Sequence, residues 1–368
     1  MKWSGRIILV LALVVIAILS ISYGFYQKSL KKPSENKIVI YTYESLLKWG
    51  IDPNATLQAV YGGFEEKFNC KVEIREFDDA RTALLVLIQE KDSPKADVII
   101  GVDNILIHEA INAGVLEPFT PSNVNEIPEW LINSLDPTFH VIPYDYGLIA
   151  LVYDSERVLP EEMVGITFED LLNPEIASKL VLEDPTLSST GINFLLWQIA
   201  AYKMQGKDWT DWWTSIRENA MIAGSWGDAY DIFLDEAQGR PIVVSYGTDP
   251  AYSYHFYQET RYKAALVKYG GKDWAWLQIE GIGLVKGAPH KELAKKFIEY
   301  FLSPEVQVHI PLNNWMYPAN SRTELPEVFE EYAIDPFDVS LMNEILSQQE
   351  IRENLKLWLN TWREIVGG

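Results

Sequence analysis

The chain has 368 residues, with 52 acidic and 31 basic side chains and a formal net charge of -21. This length exceeds what one small hydrophobic core needs, so we expect two or more lobes. The charge argues against a nucleic-acid partner, because phosphates would be repelled, and it suits a positively charged ligand. Cys70 is the single cysteine, so no internal disulfide is possible and we expect a buried apolar role for it.

An uncharged apolar run extends from residue 7 to residue 26, after Lys2 and Arg6. Its length matches a helix that crosses a bilayer, and a secretory signal peptide is the alternative. No Ala-x-Ala pattern follows the run, and no cysteine stands close enough to carry a lipid. We therefore expect residues 1–36 to be a membrane anchor or signal segment plus a linker, with the rest of the chain outside the cytoplasm.

Strands and helices alternate in the first hundred residues after this segment. The β-branched, apolar content of residues 37–43, 71–77 and 96–102 predicts strands. Helical periodicity between them predicts helices near 57–68 and 81–89. Such alternation indicates crossover connections and a mostly parallel sheet.

Ligands of parallel sheets bind beyond the carboxyl ends of the strands. In this chain Tyr43, Asp103 and Asn104 occupy such positions. They are therefore the first candidates for a binding site.

The apolar segment 139–154 is too long for one compact strand, and Pro143 and Gly147 interrupt it. We interpret it as a crossing from a first lobe to a second, with residues 276–285 as the return. The tail 339–366 is predicted to be helical and to pack on the first lobe.

A hydroxyl-rich turn, residues 185–191, precedes a predicted helix over 192–204. Hydroxyl groups and free N–H groups at a helix start can bind an anion. The alternative is an ordinary helix cap by Ser189 or Thr190.

The stretch from residue 224 to residue 252 places three large aromatic side chains beside glycines and small hydroxyl residues: Trp226, Tyr246 and Tyr252. A single aromatic of this kind is usually part of the core. Three together favour a flat, cationic ligand, because ring faces attract cations.

No enzyme signature is present: the chain lacks Gly-x-Ser-x-Gly, a Walker loop and His-Glu-x-x-His, and its five histidines are not at metal-ligand spacing. We therefore expect a monomeric binding protein that needs no cofactor and no resident metal. Two lobes with aromatic side chains at loop tips are typical of a solute-binding protein that closes by a hinge.

Several segments together resemble the thiamine-binding periplasmic proteins of bacterial ABC importers, within the type II periplasmic-binding-protein fold. The similar segments occur in the same order as in that family and are Tyr41 to Ser45 with Trp49-Gly50, Lys95 to Val98 with Gly101 to Asn104, Pro143 to Gly147, Val152 to Asp154, Glu183 to Pro185 with Ser188 to Gly191, Gly224 to Trp226 with Ala229-Tyr230, Ser245-Tyr246 with Pro250 to Tyr252, and Asn314 to Pro318. The resemblance covers nearly all of the chain from the predicted anchor to Pro318.

The resemblance implies an α/β fold of two lobes, each a mostly parallel sheet flanked by helices, with the ligand in the cleft between them. Residues 37–142 and 279–368 would form lobe 1, and residues 143–278 lobe 2. It implies capture of thiamine or its phosphate esters and delivery to an ABC permease and its ATPase.

The resemblance also implies a role for each matching residue. The thiazolium and pyrimidine rings would lie among Tyr43, Trp49, Trp226, Tyr246 and Trp315. Asp103 would bind the aminopyrimidine, and the hydroxyethyl arm or its phosphates would face Ser188, Ser189 and Tyr252. Glu44 and the turn Leu187-Ser188-Ser189 depart from the family pattern, so the sequence leaves the preferred phosphorylation state open.

Two alternatives remain on the same fold. One is a ferric-ion receptor that uses Tyr246, Tyr252 and a carboxylate. The other is an extracytoplasmic hydrolase that turns over a thiamine phosphate.

Overall fold

The computed structural model describes residues 36–367. The predicted membrane anchor or signal segment lies outside this range. Within the range, no helix combines the length and the apolar character that a bilayer crossing requires.

Between residues 36 and 367, thirteen strands form one sheet system. In chain order they are β1 Lys37–Tyr43, β2 Lys71–Phe77, β3 Val98–Asp103, β4 Leu116–Glu117, β5 Val141–Asp154, β6 Leu180–Glu183, β7 Met221–Ala223, β8 Ile242–Tyr246, β9 Tyr262–Ala265, β10 Val267–Tyr269, β11 Lys272–Val285, β12 Tyr317–Pro318 and β13 Ser340–Leu341. The predicted strands at 37–43, 71–77 and 96–102 are confirmed, the third with its start moved to Val98.

Helices cover both faces of the sheet. They are α1 Pro53–Leu57, α2 Gly63–Phe68, α3 Ala80–Gln89, α4 Leu106–Ala113, α5 Glu129–Leu135, α6 Pro160–Met163, α7 Pro174–Ala177, α8 Ser189–Met204, α9 Trp209–Ile216, α10 Trp226–Leu234, α11 Asp249–Tyr257, α12 Lys291–Phe301, α13 Pro304–Gln307, α14 Ile310–Asn314, α15 Glu327–Tyr332 and α16 Gln348–Val366. A π-helical turn, Gln58–Gly62, joins α1 to α2.

The main strand order is β2-β1-β3-β11-β5-β8-β6-β7. Strands β1, β2 and β3 pair in parallel, as do β6, β7 and β8. The two parallel parts, which we name the first and the second lobe, are joined by the antiparallel strands β5 and β11. These two strands are the predicted crossing and return.

Strand β5 is one continuous strand of 14 residues, so the predicted interruption at Pro143 and Gly147 is wrong. Pro143 lies beside a register shift between β5 and β11, and such a bulge accepts a residue without an N–H group. Gly147 leaves room for a neighbour, because a Cβ there would lie 2.7 Å from Met316 Sδ. Both residues therefore fit inside the strand.

The C-terminal helix α16 packs mainly against the second lobe, so the predicted packing on the first lobe is wrong. Trp362 is buried and meets Trp213 of α9 edge to face, with ring centroids 5.6 Å apart. An ion pair of 2.5 Å also links Glu350 to Lys203 of α8. The apolar stripe of α16 predicted the helix but carried no information about which lobe would cover it.

Candidate functional site

A cavity of about 800 Å³, open mouth included, lies between the lobes. Its wall combines turns that follow β1 and β2, the starts of α8, α10 and α11, and the turn after α14. The lining residues are Tyr43, Glu44, Ser45, Trp49, Asp78, Asp79, Ala80, Ser189, Thr190, Trp226, Gly227, Tyr230, Tyr246, Asp249, Tyr252, Glu280, Asn314, Trp315 and Met316.

Aromatic rings from both lobes meet edge to face at one end of this cavity. Trp49, in the turn after β1, has its ring centroid 5.3 Å from that of Trp226 and 5.8 Å from that of Tyr252. The Trp226 ring is fixed from behind, because its Nε1 donates to Ser245 Oγ at 3.0 Å. Rings held in this way present preorganised faces to a flat ligand.

Trp315 completes the aromatic wall with a strained backbone. It ends α14 in the left-handed region, with a φ of 54°, which is costly for a bulky residue. Its Nε1 donates to the carbonyl of Trp49 at 3.0 Å, and its own carbonyl accepts from Thr248 Oγ1 at 2.6 Å. These two bonds hold the ring against Tyr252, at 5.3 Å between centroids.

The cavity floor is a hydrogen-bonded group around Glu280. Glu280 Oε2 accepts from the hydroxyl of Tyr43 at 2.8 Å and from that of Tyr144. Asn314 Nδ2 donates to Tyr43 at 3.2 Å and to Asp145 Oδ2 at 2.7 Å. Burial, followed by repulsion from Glu280, raises the pKa of Asp145 well above its usual value.

Asp79 is a cavity residue that the sequence reasoning missed. It caps α3 with a bond from Arg81 N to its Oδ1 at 2.9 Å, and the same atom accepts from Ser189 N at 2.9 Å. The second bond links the first lobe to the start of α8. Burial raises the pKa of Asp79 to about 6. Its place after strand β2, at a helix start, is a signal that could have identified it.

Asp249, the first residue of α11, was also missed. It is 6% exposed, lines the cavity and, among the described residues, has no hydrogen-bond partner for Oδ2. Burial raises its pKa to about 7, although the hydroxyl groups of Ser245 and Tyr230 oppose the rise. It follows strand β8, so the strand-end rule points to it as well.

Asp103 lies behind the floor rather than in the cavity wall. It is fully buried, and its Oδ1 accepts from the N–H groups of Ile105 and Leu106 at 2.9 and 2.8 Å. Its Oδ2 accepts from Asn193 at 2.6 Å and from Gln278 at 3.0 Å. These four bonds occupy the carboxylate, so the structure does not place it where it could bind an aminopyrimidine.

Ser188 is also absent from the cavity wall. Its Oγ accepts from Gly191 N at 3.2 Å as the cap of α8, and the residue is fully buried. The capping alternative therefore describes this turn, with Ser188 as the cap instead of Ser189 or Thr190. The structure brings the other seven proposed residues together in the cavity wall: Tyr43, Trp49, Ser189, Trp226, Tyr246, Tyr252 and Trp315.

The charge of the cavity wall is entirely acidic over residues 36–367. Glu44, Asp78, Asp79, Asp249 and Glu280 line it, and no lysine, arginine or histidine does. In the same range no group of three or more His, Cys, Asp or Glu residues is arranged to hold a metal ion. An acidic wall with several ring faces is suited to an organic cation.

Comparison with known proteins agrees with this site. The family model described as "Bacterial extracellular solute-binding protein" matches residues 93–335. A thiamine-binding periplasmic protein of Brucella melitensis is 32% identical over 336 residues, covering 89% of this chain and 92% of the relative. The protein of that name from Escherichia coli K12 is 28% identical over 332 residues, covering 89% and 93%.

A solved structure described as a periplasmic thiamin binding protein superposes with a TM-score of 0.76 and 26% identity, covering 91% of this chain and 98% of the other. The resemblance noted in the sequence is thereby confirmed. The chain belongs to the bacterial extracellular solute-binding proteins, as a relative of the thiamine-binding periplasmic proteins.

Proposed function

We propose that this protein captures thiamine in the cavity between its lobes and delivers it to the permease and ATPase of an ABC importer. The observation that carries the proposal is the combination of an edge-to-face cluster of aromatic rings with a wholly acidic wall over residues 36–367. Thiamine offers both a cationic thiazolium and a flat aminopyrimidine. Each cation placed over a desolvated ring face gains about 2 kcal/mol.

The charge of the wall favours the unphosphorylated form of the ligand. A phosphate would meet five acidic residues and no basic one in the described part of the wall. The N–H group of Ser189, which could have bound an anion at the start of α8, donates to Asp79 instead. Thiamine phosphates would thus have to direct their phosphate groups to the solvent.

The proposal also covers the cellular location and the oligomeric state of the protein. We propose that it works outside the cytoplasm as a monomer, held at the membrane by its N-terminal segment, and releases its ligand unaltered. The periplasmic names of the relatives support the location.

Titration calorimetry of the purified protein with thiamine tests the proposal, with intrinsic tryptophan fluorescence as a second readout. We expect tight binding, quenching of fluorescence and a higher melting temperature, since a ligand at 100 times its Kd stabilises by about 2.7 kcal/mol. Choline, a cation without aromatic rings, is the matched control and should bind far more weakly. Absence of heat, quenching and stabilisation with micromolar thiamine would refute the proposal.

The ferric alternative has its own readout in the same preparation. It requires the hydroxyl groups of Tyr246 and Tyr252, of which Tyr246 donates to Gln278 Oε1 at 2.9 Å. Burial raises the pKa of both tyrosines, which opposes tyrosinate formation. A visible tyrosinate-to-iron band after addition of ferric citrate would support the alternative, and its absence together with thiamine binding would exclude it.

A further inference from the structure

Glu280 and Asp145 form a buried pair of carboxyl groups at the cavity floor. They stand opposite each other on the antiparallel strands β11 and β5, and burial together with repulsion from Glu280 raises the pKa of Asp145. Both are almost completely buried, at 4% and 0% exposure. Two carboxylates so placed cannot both be charged, because mutual repulsion adds to the lost hydration, so one proton remains between them in the empty cavity.

No basic group compensates the pair within the described residues. The polar neighbours are the hydroxyl groups of Tyr43 and Tyr144 and the side-chain amides of Asn314 and Gln278. Asp145 Oδ1 has no hydrogen-bond partner among residues 36–367. A proton bound by one of the two carboxyl groups would lower the charge of the pair where no basic side chain does.

The other titratable groups that act on the pair are acidic too. Asp103, at the end of β3, and Asp79, before α3, both repel a negative charge on Glu280. Glu280 and Asp145 in turn raise the pKa of the Tyr246 hydroxyl on β8. The neighbouring carboxyl groups thus disfavour a second negative charge on the pair, whereas the hydrogen bonds from Tyr43 and Tyr144 favour it.

We propose that the Asp145–Glu280 pair is a proton site linked to ligand capture. A cationic ligand over Glu280 takes the place of the shared proton, and about one proton passes to the solvent for each ligand bound near neutral pH. The pair changes from one negative charge to two, and the bound cation balances the difference. The inference rests on the proposed function only in that the ligand is an organic cation such as thiamine.

Competition between cation and proton fixes the direction of the pH dependence. Wherever the empty pair holds its proton, affinity should fall as pH falls, by up to about tenfold for each pH unit. By reciprocity, bound ligand makes the pair more acidic. Capture is then favoured at neutral pH, and acidification favours release.

Calorimetry in two buffers with different ionisation enthalpies, phosphate and Tris at equal pH, counts the released protons. For the wild-type protein with thiamine we expect a release approaching one proton near pH 7. For Asp145→Asn we expect a clearly smaller release, because the amide removes the repulsion within the pair, although burial, Asp103 and Asp79 still raise the pKa of Glu280. Asp145 does not line the cavity, so binding itself should persist. The ligand's own titration cancels between the two proteins.

Asp92→Asn is the matched control, because it makes the same change at an exposed residue outside the cavity wall. It should release as many protons as the wild-type protein. Binding without proton release, or equal release from wild type and Asp145→Asn, overturns the inference alone. Absence of binding overturns the proposed function with it. Should Asp145→Asn not fold, the wild-type affinity from pH 6 to 8 decides, since a flat profile overturns the inference.

Discussion

At the scale of single residues, Trp226 is the wall residue whose role can be tested most directly. Its ring contacts Trp49 across the cleft, and its Nε1 is anchored to Ser245. Trp226→Ala should weaken thiamine binding by ~2 kcal/mol or more, because a desolvated ring face is lost. Calorimetry measures the loss, and circular dichroism verifies the fold.

The matched control for this variant is Trp274→Ala, at a partly buried tryptophan of β11 outside the cavity wall. It should leave the affinity for thiamine unchanged. Wild-type affinity in Trp226→Ala would assign Trp226 a structural role instead.

From the raised pKa of Asp249 we predict how the stability of the ligand-free protein depends on pH. Its pKa of about 7 in the folded protein exceeds the ordinary value of 3.8, so the folded state binds the proton more tightly than the unfolded state. The free energy of unfolding should therefore fall as pH rises from 3.8 to about 7, by ~1.4 kcal/mol per pH unit for this group.

Urea denaturation at several pH values measures this dependence. Asp249→Asn should show a shallower fall over the same window, because the amide does not titrate. Asp79, whose folded pKa is also raised, acts in the same direction and remains in the variant. Equal slopes for variant and wild type would show that Asp249 ionises as freely in the folded as in the unfolded state.

At the scale of elements, the hydrogen bonds at the start of α8 let us predict how a phosphate group on the ligand changes its affinity. Two N–H groups of this first turn are already bonded, that of Ser189 to Asp79 and that of Gly191 to Ser188. Thiamine diphosphate should therefore bind no more tightly than thiamine, and up to ~1 kcal/mol more weakly through repulsion by the acidic wall. A calorimetric series of thiamine, its monophosphate and its diphosphate tests this, and a markedly tighter diphosphate complex would contradict it.

For the C-terminal helix α16 we predict a large loss of stability when one buried side chain is truncated. Trp362→Ala removes the contact with Trp213 and leaves a cavity, so the free energy of unfolding should fall by ~3 kcal/mol. Leu357→Ala on the same helix is the control, because Leu357 is 61% exposed and should change stability by less than ~0.5 kcal/mol. Similar urea midpoints for the two variants would show that α16 is not docked on the second lobe.

At the scale of the whole molecule, the net charge of -21 acts on a cationic ligand before contact. The field should speed the association of thiamine at low ionic strength, and salt should screen it. We expect the association rate constant to fall severalfold from ~0.02 to ~0.5 M NaCl, while the dissociation rate constant changes little. Stopped-flow tryptophan fluorescence measures both constants, and a salt-independent association rate would show that the overall charge has no steering role.

The sequence by itself determined most of the local structure. Strands β1, β2 and β3 and helix α3 were predicted close to their observed bounds, because apolar periodicity and turn residues are local signals. The aromatic wall was also foreseen, since Trp226, Tyr246 and Tyr252 stand beside strand ends. Seven of the nine proposed site residues line the cavity, although Trp49 was named only through the family resemblance.

Only the tertiary structure decided which polar groups face the ligand and which hold the fold together. Asp103 and Asp79 both follow strands, yet Asp103 is enclosed by four donors while Asp79 reaches the cavity. The continuity of β5 also depends on the tertiary structure, because β5 pairs with β11 on both sides of the bulge. Hydrogen-bond partners that are distant in sequence determine whether a side chain faces the cavity and whether a strand stays continuous. A local sequence pattern contains no information about such partners.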